Sequence, residues 1–200
     1  MADSLLFAAV LAGGRSTRMG QDKRFLLLDG EPLVDRAMRL AAAALGGDSS
    51  RVLLCGAVPQ RHCIPDAMMG LGPLGGLLTA AGHVQSKATG EASWLLILPV
   101  DMPLLDDHIL RGLVTAVGEG GTAAAISYAE HEMPFILRID SSTSAALASA
   151  AGNPLPSLRS IRELQRRVGI RHISRATVPP HQLVNVNFPQ EWSLVQKGGA

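Results

Sequence analysis

The chain has 200 residues, 47% of them hydrophobic and 18% charged, and these are enough to fill one large α/β core, read as a single domain over 1–200. A formal net charge of +1, with no long basic tract and no aromatic residues interleaved with one, excludes a general nucleic-acid binder. The apolar runs are broken by Gly, Arg or Asp well short of membrane-spanning length.

In chain order, an apolar run at 5–11 predicts a first strand that ends in the glycine-rich segment LAGGRSTRMGQDK at 11–23. Helical spacing over 32–45 starts with Pro32, suited to a first turn, and stops at Gly46 and Gly47. A strand at 52–55, a loop at 70–76, a helix over 75–84, a buried-type strand at 94–99 and a helix over 106–117 follow. Asp106 and Asp107 read as caps of that last helix, and 118–121 as a loop. In the second half, 123–128 and 135–139 read as strands flanking an insertion, 157–168 as an amphipathic helix, and 183–186 as a late strand. Such alternation predicts an α/β fold with a mainly parallel (mixed) central sheet and helices on both faces.

The N-terminus lacks the basic region and cleavage site of a secretory signal. Cys55 and Cys63 form no CxxC, and the six histidines form no HxH or HExxH, so no zinc constellation is expected. Both thiols are expected to be reduced, in a soluble cytoplasmic protein without membrane or nucleic-acid partners.

Chemistry concentrates at the strand ends. Gly13 and Gly14 permit a sharp turn whose amides approach an anion, and Arg15, Arg18 and Lys23 supply positive charge. Neither Walker A nor the dinucleotide fingerprint GxGxxG fits the spacing. Lys23 is one of only three lysines against fifteen arginines, and its compact ammonium suits phosphate oxygens. WLLILPVDMP at 94–103 delivers Asp101 at a strand end, either as a turn cap or as a ligand for Mg²⁺ shared with substrate phosphates. IPD at 64–66 and GLGPLGG at 70–76 offer Asp66 and a close backbone approach. There Asp66 is either a solvated turn residue or an acceptor for a base edge, guanine rewarding it most. Asn185 and Asn187 in NVNFPQEW either satisfy loop backbone or reach a ligand, before Pro189 starts a short helix. Arg159, Arg162 and Arg166 form either a solvated face or a clamp for a second anion, opposite Leu158, Ile161, Leu164 and Val168. The histidines read as surface or packing residues.

Taken in order, LAGGRSTRMGQDK, IPD, GPLGG, PVDMP and NVNFPQEW resemble the molybdenum cofactor guanylyltransferase family, within the nucleotidyltransferases of Rossmann-like α/β fold. The resemblance covers most of the chain. It implies transfer of GMP from GTP to the terminal phosphate of molybdopterin, with release of pyrophosphate and with Mg²⁺ as cofactor. It also implies that Leu11, Ala12 and Gly13 form the nucleotide loop, Lys23 meets the phosphates, Asp66 faces guanine, and Asp101 holds the metal. In the reaction this suggests, Gly14 is expected to help orient the triphosphate and Arg18 to stabilise phosphate charge beside Lys23. Asn185 and Asn187 match the motif at the rim, toward the second substrate. Transient contact with molybdoenzymes or cofactor-biosynthesis proteins is a further expectation. The chain departs from the pattern in having Cys55 where the family has asparagine. It also reads Glu132, Met133, Pro134 at the pterin-side HP motif, with His131 one place early. The rival readings are a molybdopterin cytidylyltransferase, a sugar-phosphate nucleotidyltransferase, and a noncatalytic nucleotide-binding chaperone or docking module.

Overall fold

Along the first strand, Phe7, Ala9 and Leu11 enter one apolar cluster while Ala8 and Val10 enter another. This is the period-two signature of a strand covered on both faces. The computed structural model describes residues 5–13, 19–66, 68, 70–87 and 93–198. In chain order its elements are β1 (Leu6–Leu11), β2 (Leu27–Leu28), β3 (Glu31–Pro32), α1 (Leu33–Ala44), β4 (Val52–Cys55), α2 (Pro73–Lys87) and β5 (Ser93–Pro99). They continue with α3 (Asp107–Gly118), β6 (Ala125–Tyr128), β7 (Phe135–Ile139), α4 (Ser141–Ala151), α5 (Ile161–Val168), β8 (Ile170–Ile173) and α6 (Pro189–Gln196). Among the described residues no helix is long and apolar enough to cross a membrane.

The main sheet runs β4-β1-β5-β7-β6-β8. β4, β1 and β5 are parallel, β7 is antiparallel to both its neighbours, and β8 pairs parallel with β6. One face packs on α1, α3 and Trp192 of α6, the other on α2, α4 and α5. The expected α/β architecture, mainly parallel but mixed, is the one observed. Leu95, Leu96, Ile97 and Leu98 of β5 are each 0% exposed. Burial of one such side chain is worth about 1.5–3 kcal/mol, so β5 is a rigid support for the turn that follows it.

Several elements differ from the sequence expectation. Helix α2 begins at Pro73, so PLGG forms its first turn and only 70–72 remain loop. Two helical glycines cost about 1 kcal/mol each, but buried Leu74 and Leu77 outweigh that at about 1.5–3 kcal/mol apiece. The region 157–168 is broken at Ser160, whose side chain accepts from the Glu163 amide and starts α5 afresh. Arg159 therefore lies outside the helix, and no continuous arginine face exists. No strand forms at 183–186. Pro179 and Pro180 lead instead into a 3-10 turn over Pro180–Leu183, and the last strand is β8. Helix α4 has no apolar stripe to announce it, and is fixed by a capping box between Asp140 and Thr143. The caps at Gly46 and Gly47, both at positive φ, and at Asp106 are as expected.

Candidate active site

Because β4, β1 and β5 are parallel neighbours, their C-terminal ends meet at one edge: Leu11 lies in register with both Cys55 and Pro99. The turns beyond them are stitched together. Ala12 N–H donates to the Cys55 carbonyl at 2.9 Å, and Val100 N–H donates to the Leu11 carbonyl at 3.3 Å. This is the edge at which open α/β sheets bind ligands. A pocket here is lined by Leu11, Ala12, Gly13, Lys23, Asp66 and Asp101, together with Arg24, Cys55 and Gly76 among others. Six of the residues singled out from sequence thus share one cavity. Gly14 and Arg18 lie outside the described residues. The Ala12 amide is already committed to Cys55, so the Gly13 amide is the one left in this pair to meet an anion.

Lys23 opens a short 3-10 turn, Lys23–Phe25, that Asp22 caps. Its ammonium meets Asp101 Oδ2 at 2.5 Å, with both side chains more than four-fifths buried. The other oxygen, Asp101 Oδ1, is buried and has no hydrogen-bond partner among the described residues. A carboxylate with one oxygen on a lysine and a second unsatisfied fits a divalent ion whose remaining ligands come from a phosphorylated substrate. Among the described residues no group of three His, Cys, Asp or Glu side chains is placed to hold a metal unaided.

Asp66 lines the same pocket, its Oδ1 likewise buried without a partner among the described residues. Burial pushes its carboxyl above the usual 3.8. The room around it is made by glycine: a Cβ on Gly13, Gly75 or Gly76 would come within 3.8, 3.6 and 3.7 Å of its carboxylate. A Cβ on Gly76 would also press Leu11 and Cys55 at 3.1 and 3.2 Å. Gly76 therefore serves close packing of α2 on the strand ends, while Gly75 lets the preceding loop approach, a Cβ there meeting the Met68 carbonyl oxygen at 2.9 Å. Burial first, then the nearby Asp66 and Cys63, push the Cys55 thiol up to about 12, so it stays neutral. Because folding raises the Asp66 pKa, this group favours the folded state below its unfolded value and withdraws that stability as pH rises through the folded one. The Asp66→Asn variant should melt at a higher temperature than the parent at pH 7, and the gap should close as pH falls toward 3.5. A gap that is constant with pH in thermal denaturation would exclude this sign.

The pocket adjoins a cleft of about 500 Å³, with which it shares Asp101, Pro99, Pro73 and Met133. Its far wall carries Asn185, Arg162 and the β6–β7 turn with Glu130, His131 and Glu132. Arg162 pairs with Glu132 at 2.7 Å and Arg175 with Glu130 at 2.9 Å. His131, read from sequence as a surface or packing residue, lines this cleft. Burial and Arg175 hold its pKa below the usual value, with Glu130 opposing. Asn185 is exposed on the cleft wall, whereas Asn187 lines neither cavity and gives its N–H to Glu191 at 2.6 Å. Between them, Val186 N–H donates to the Asp101 carbonyl at 2.7 Å. Arg166 and Arg167 are taken up by Glu163, and Arg162 is the arginine of that helix that lines the cleft, beside Ile161.

Gly56 and Arg24 were not singled out from sequence. Gly56, at φ +111°, lets the turn after β4 lie against Gly13, and its place directly after a strand was the available signal. Arg24, next to the conspicuous Lys23, carried no signal of its own.

A family model described as the MobA-like NTP transferase domain matches residues 8–175. The molybdenum cofactor guanylyltransferase of Xanthomonas euvesicatoria pv. vesicatoria is 33% identical over 184 residues, spanning 92% of this chain and 90% of the relative. The protein of the same name from Sinorhizobium fredii is 41% identical over 124 residues, 58% of this chain and 55% of the relative. Among solved structures, molybdopterin-guanine dinucleotide biosynthesis protein A from Archaeoglobus fulgidus superposes with a TM-score of 0.69 at 19% identity, covering 95% of this chain and 96% of that one.

Proposed function

Because the chain belongs to the MobA-like NTP transferase domain family, we propose that it transfers GMP from GTP to the terminal phosphate of molybdopterin, acting as one nucleotidyltransferase domain in the cytoplasm. The observation that carries this reading is the Lys23–Asp101 pair with its unsatisfied Asp101 Oδ1, set between a pocket at the nucleotide loop and a second, larger cleft. Two adjoining cavities that meet at one carboxylate suit a donor and an acceptor that must exchange a group there.

In the proposed reaction an acceptor phosphate oxygen attacks the α-phosphorus of GTP in line. The new P–O bond forms as the bond to the β-phosphate breaks, and pyrophosphate leaves with that electron pair. No protein nucleophile is required. The Gly13 amide orients the triphosphate, and Lys23 meets the negative charge that gathers on the leaving group. Asp101 would hold Mg²⁺ through Oδ1, which when bound supplies charge neutralisation at the α-phosphate. Asp66 accepts from guanine N1 and its amino group. Asn185 and Arg162 border the acceptor, and Asn187 holds the rim through its backbone. Arg18 and Gly14 are assigned to the triphosphate from the sequence alone, through the charge of one and the turn the other permits.

Pyrophosphate release should be measured with molybdopterin, Mg²⁺ and each of the four nucleoside triphosphates. Turnover with GTP at least about 10-fold above CTP is expected, since a base-edge carboxylate misplaced on the wrong base leaves a buried acceptor unpaired. Preference for CTP would make the protein a cytidylyltransferase. GTP binding without turnover would make it a noncatalytic module.

A further inference from the structure

The turn that carries Lys23 is held from two sides. On one, Lys23 itself reaches Asp101 beyond β5. On the other, the guanidinium of Arg24 spans three separate anchors. Its Nε donates to Asp22 Oδ1 and Oδ2 at 2.8 and 3.0 Å, and its Nη2 to Asp22 Oδ2 at 2.5 Å. Its Nη1 donates to the Ala57 carbonyl at 2.5 Å, beyond β4, and to the Ala12 carbonyl at 3.4 Å, beyond β1. The side chain is only 16% exposed. The side chain borders the nucleotide-loop pocket, but its donors are taken up by these protein acceptors, so its part there is to hold the turn. The hydrogen bond from Arg24 also holds the Asp22 carboxyl below its usual value, while Asp22 raises the guanidinium in turn.

We infer that Arg24 is a positioning residue for nucleotidyl transfer: by bridging Asp22 to the carbonyls of Ala12 and Ala57, it sets where the neighbouring Lys23 ammonium stands relative to the nucleotide loop and Asp101. Arginine is required for this because its planar fork offers five donors in fixed directions, whereas a lysine ammonium is a point donor on a flexible stem. The inference rests on the nucleotidyl-transfer reading of the site. It adds that two adjacent side chains, pointing to different strand ends, tie three turns into one frame.

The test is a double-mutant cycle. Arg24→Ala and Arg24→Lys should each lower kcat for GMP transfer by about 10²-fold, the usual consequence of displacing a catalytic group by about an ångström, with a smaller change in KM for GTP. In a Lys23→Ala background, Arg24→Ala should cost less than about 2-fold further, because Arg24 acts through Lys23. Asp22→Asn, which keeps the shape of the anchor but removes its charge, should show a smaller loss with the same non-additivity, and serves if Arg24→Ala does not fold. Melting temperatures identify folded variants. Full activity in Arg24→Lys, or a loss in the Lys23→Ala background equal to that in the parent, would overturn the proposal. The same cycle read on GTP affinity by calorimetry separates the two claims. If the parent binds GTP without transferring GMP, the transferase reading fails, while coupling in affinity still decides the role of Arg24. A parent that binds no nucleoside triphosphate overturns both.

Discussion

Asp101→Ala should lower GMP transfer by about 10³-fold while the protein still folds and still binds GTP within roughly 10-fold of the parent. Two features set that scale. The substitution removes the buried Oδ1 that is left without a protein partner, and it releases Lys23 from its 2.5 Å contact with Oδ2. Loss of a single preorganised charge-stabilising group costs about 10²–10³-fold in turnover, and here the position of a second is disturbed as well. The fold should survive because the turn is held by its backbone: the Asp101 carbonyl accepts from Val186, and Leu95 to Leu98 of β5 behind it are fully buried. Single-turnover measurement at fixed Mg²⁺, beside calorimetric GTP titration, checks both halves. Activity within 10-fold of the parent would remove Asp101 from the chemistry, and a matched collapse of GTP affinity would make it a binding residue only.

The second large effect is expected at a residue with no functional group. Gly56→Ala should destabilise the protein by about 2 kcal/mol and weaken GTP binding by an order of magnitude or more. Its φ of +111° lies where side chains are rarely tolerated, and a Cβ there would sit 2.9 Å from the Gly13 nitrogen and 3.1 Å from the Ala12 carbonyl carbon. Backbone strain of this kind costs about 1–3 kcal/mol. The neighbour is main chain and cannot swing aside as a side chain would, so relief must come from moving the Gly13 turn. Urea denaturation reads the first consequence and nucleotide titration the second. A variant with parental affinity would show that the turn after β4 does not shape the nucleotide loop.

What was legible from sequence divides along physical lines. Asp101 stood out because WLLILP is long, apolar and strand-like, so the position of the carboxylate at its end followed from register alone. The Lys23 segment stood out through glycine and lysine against an arginine-rich background. Asp66 had meaning only through its order among the other motifs, since a lone Asp before a glycine-rich stretch has no local signature. The glycine-rich stretch 70–76 misled because glycine lowers helix propensity, and the apolar contacts that override it come from strands far away in sequence. The same applies to Arg24 and Gly56. Their partners, Ala57 and Gly13, are brought near by the parallel order of β4 and β1, and no local pattern records that order. Helix α4 and strand β8 were missed for a simpler reason: one is uniformly small and the other half-exposed at the sheet edge.

The segment that follows β8 gives the architecture a mechanical linkage. Gln182 bonds Asp106, Val186 bonds the Asp101 carbonyl, and Asn185 between them walls the larger cleft. These residues lie beyond the 8–175 span that matches the family domain. One short strap thus lines the larger cleft and braces the backbone of Asp101. On the proposed reading, the larger cleft takes the acceptor. Remodelling the strap for a different acceptor would then loosen the turn that holds Asp101 in the same stroke, so choice of acceptor and rate of transfer would have to be adjusted together.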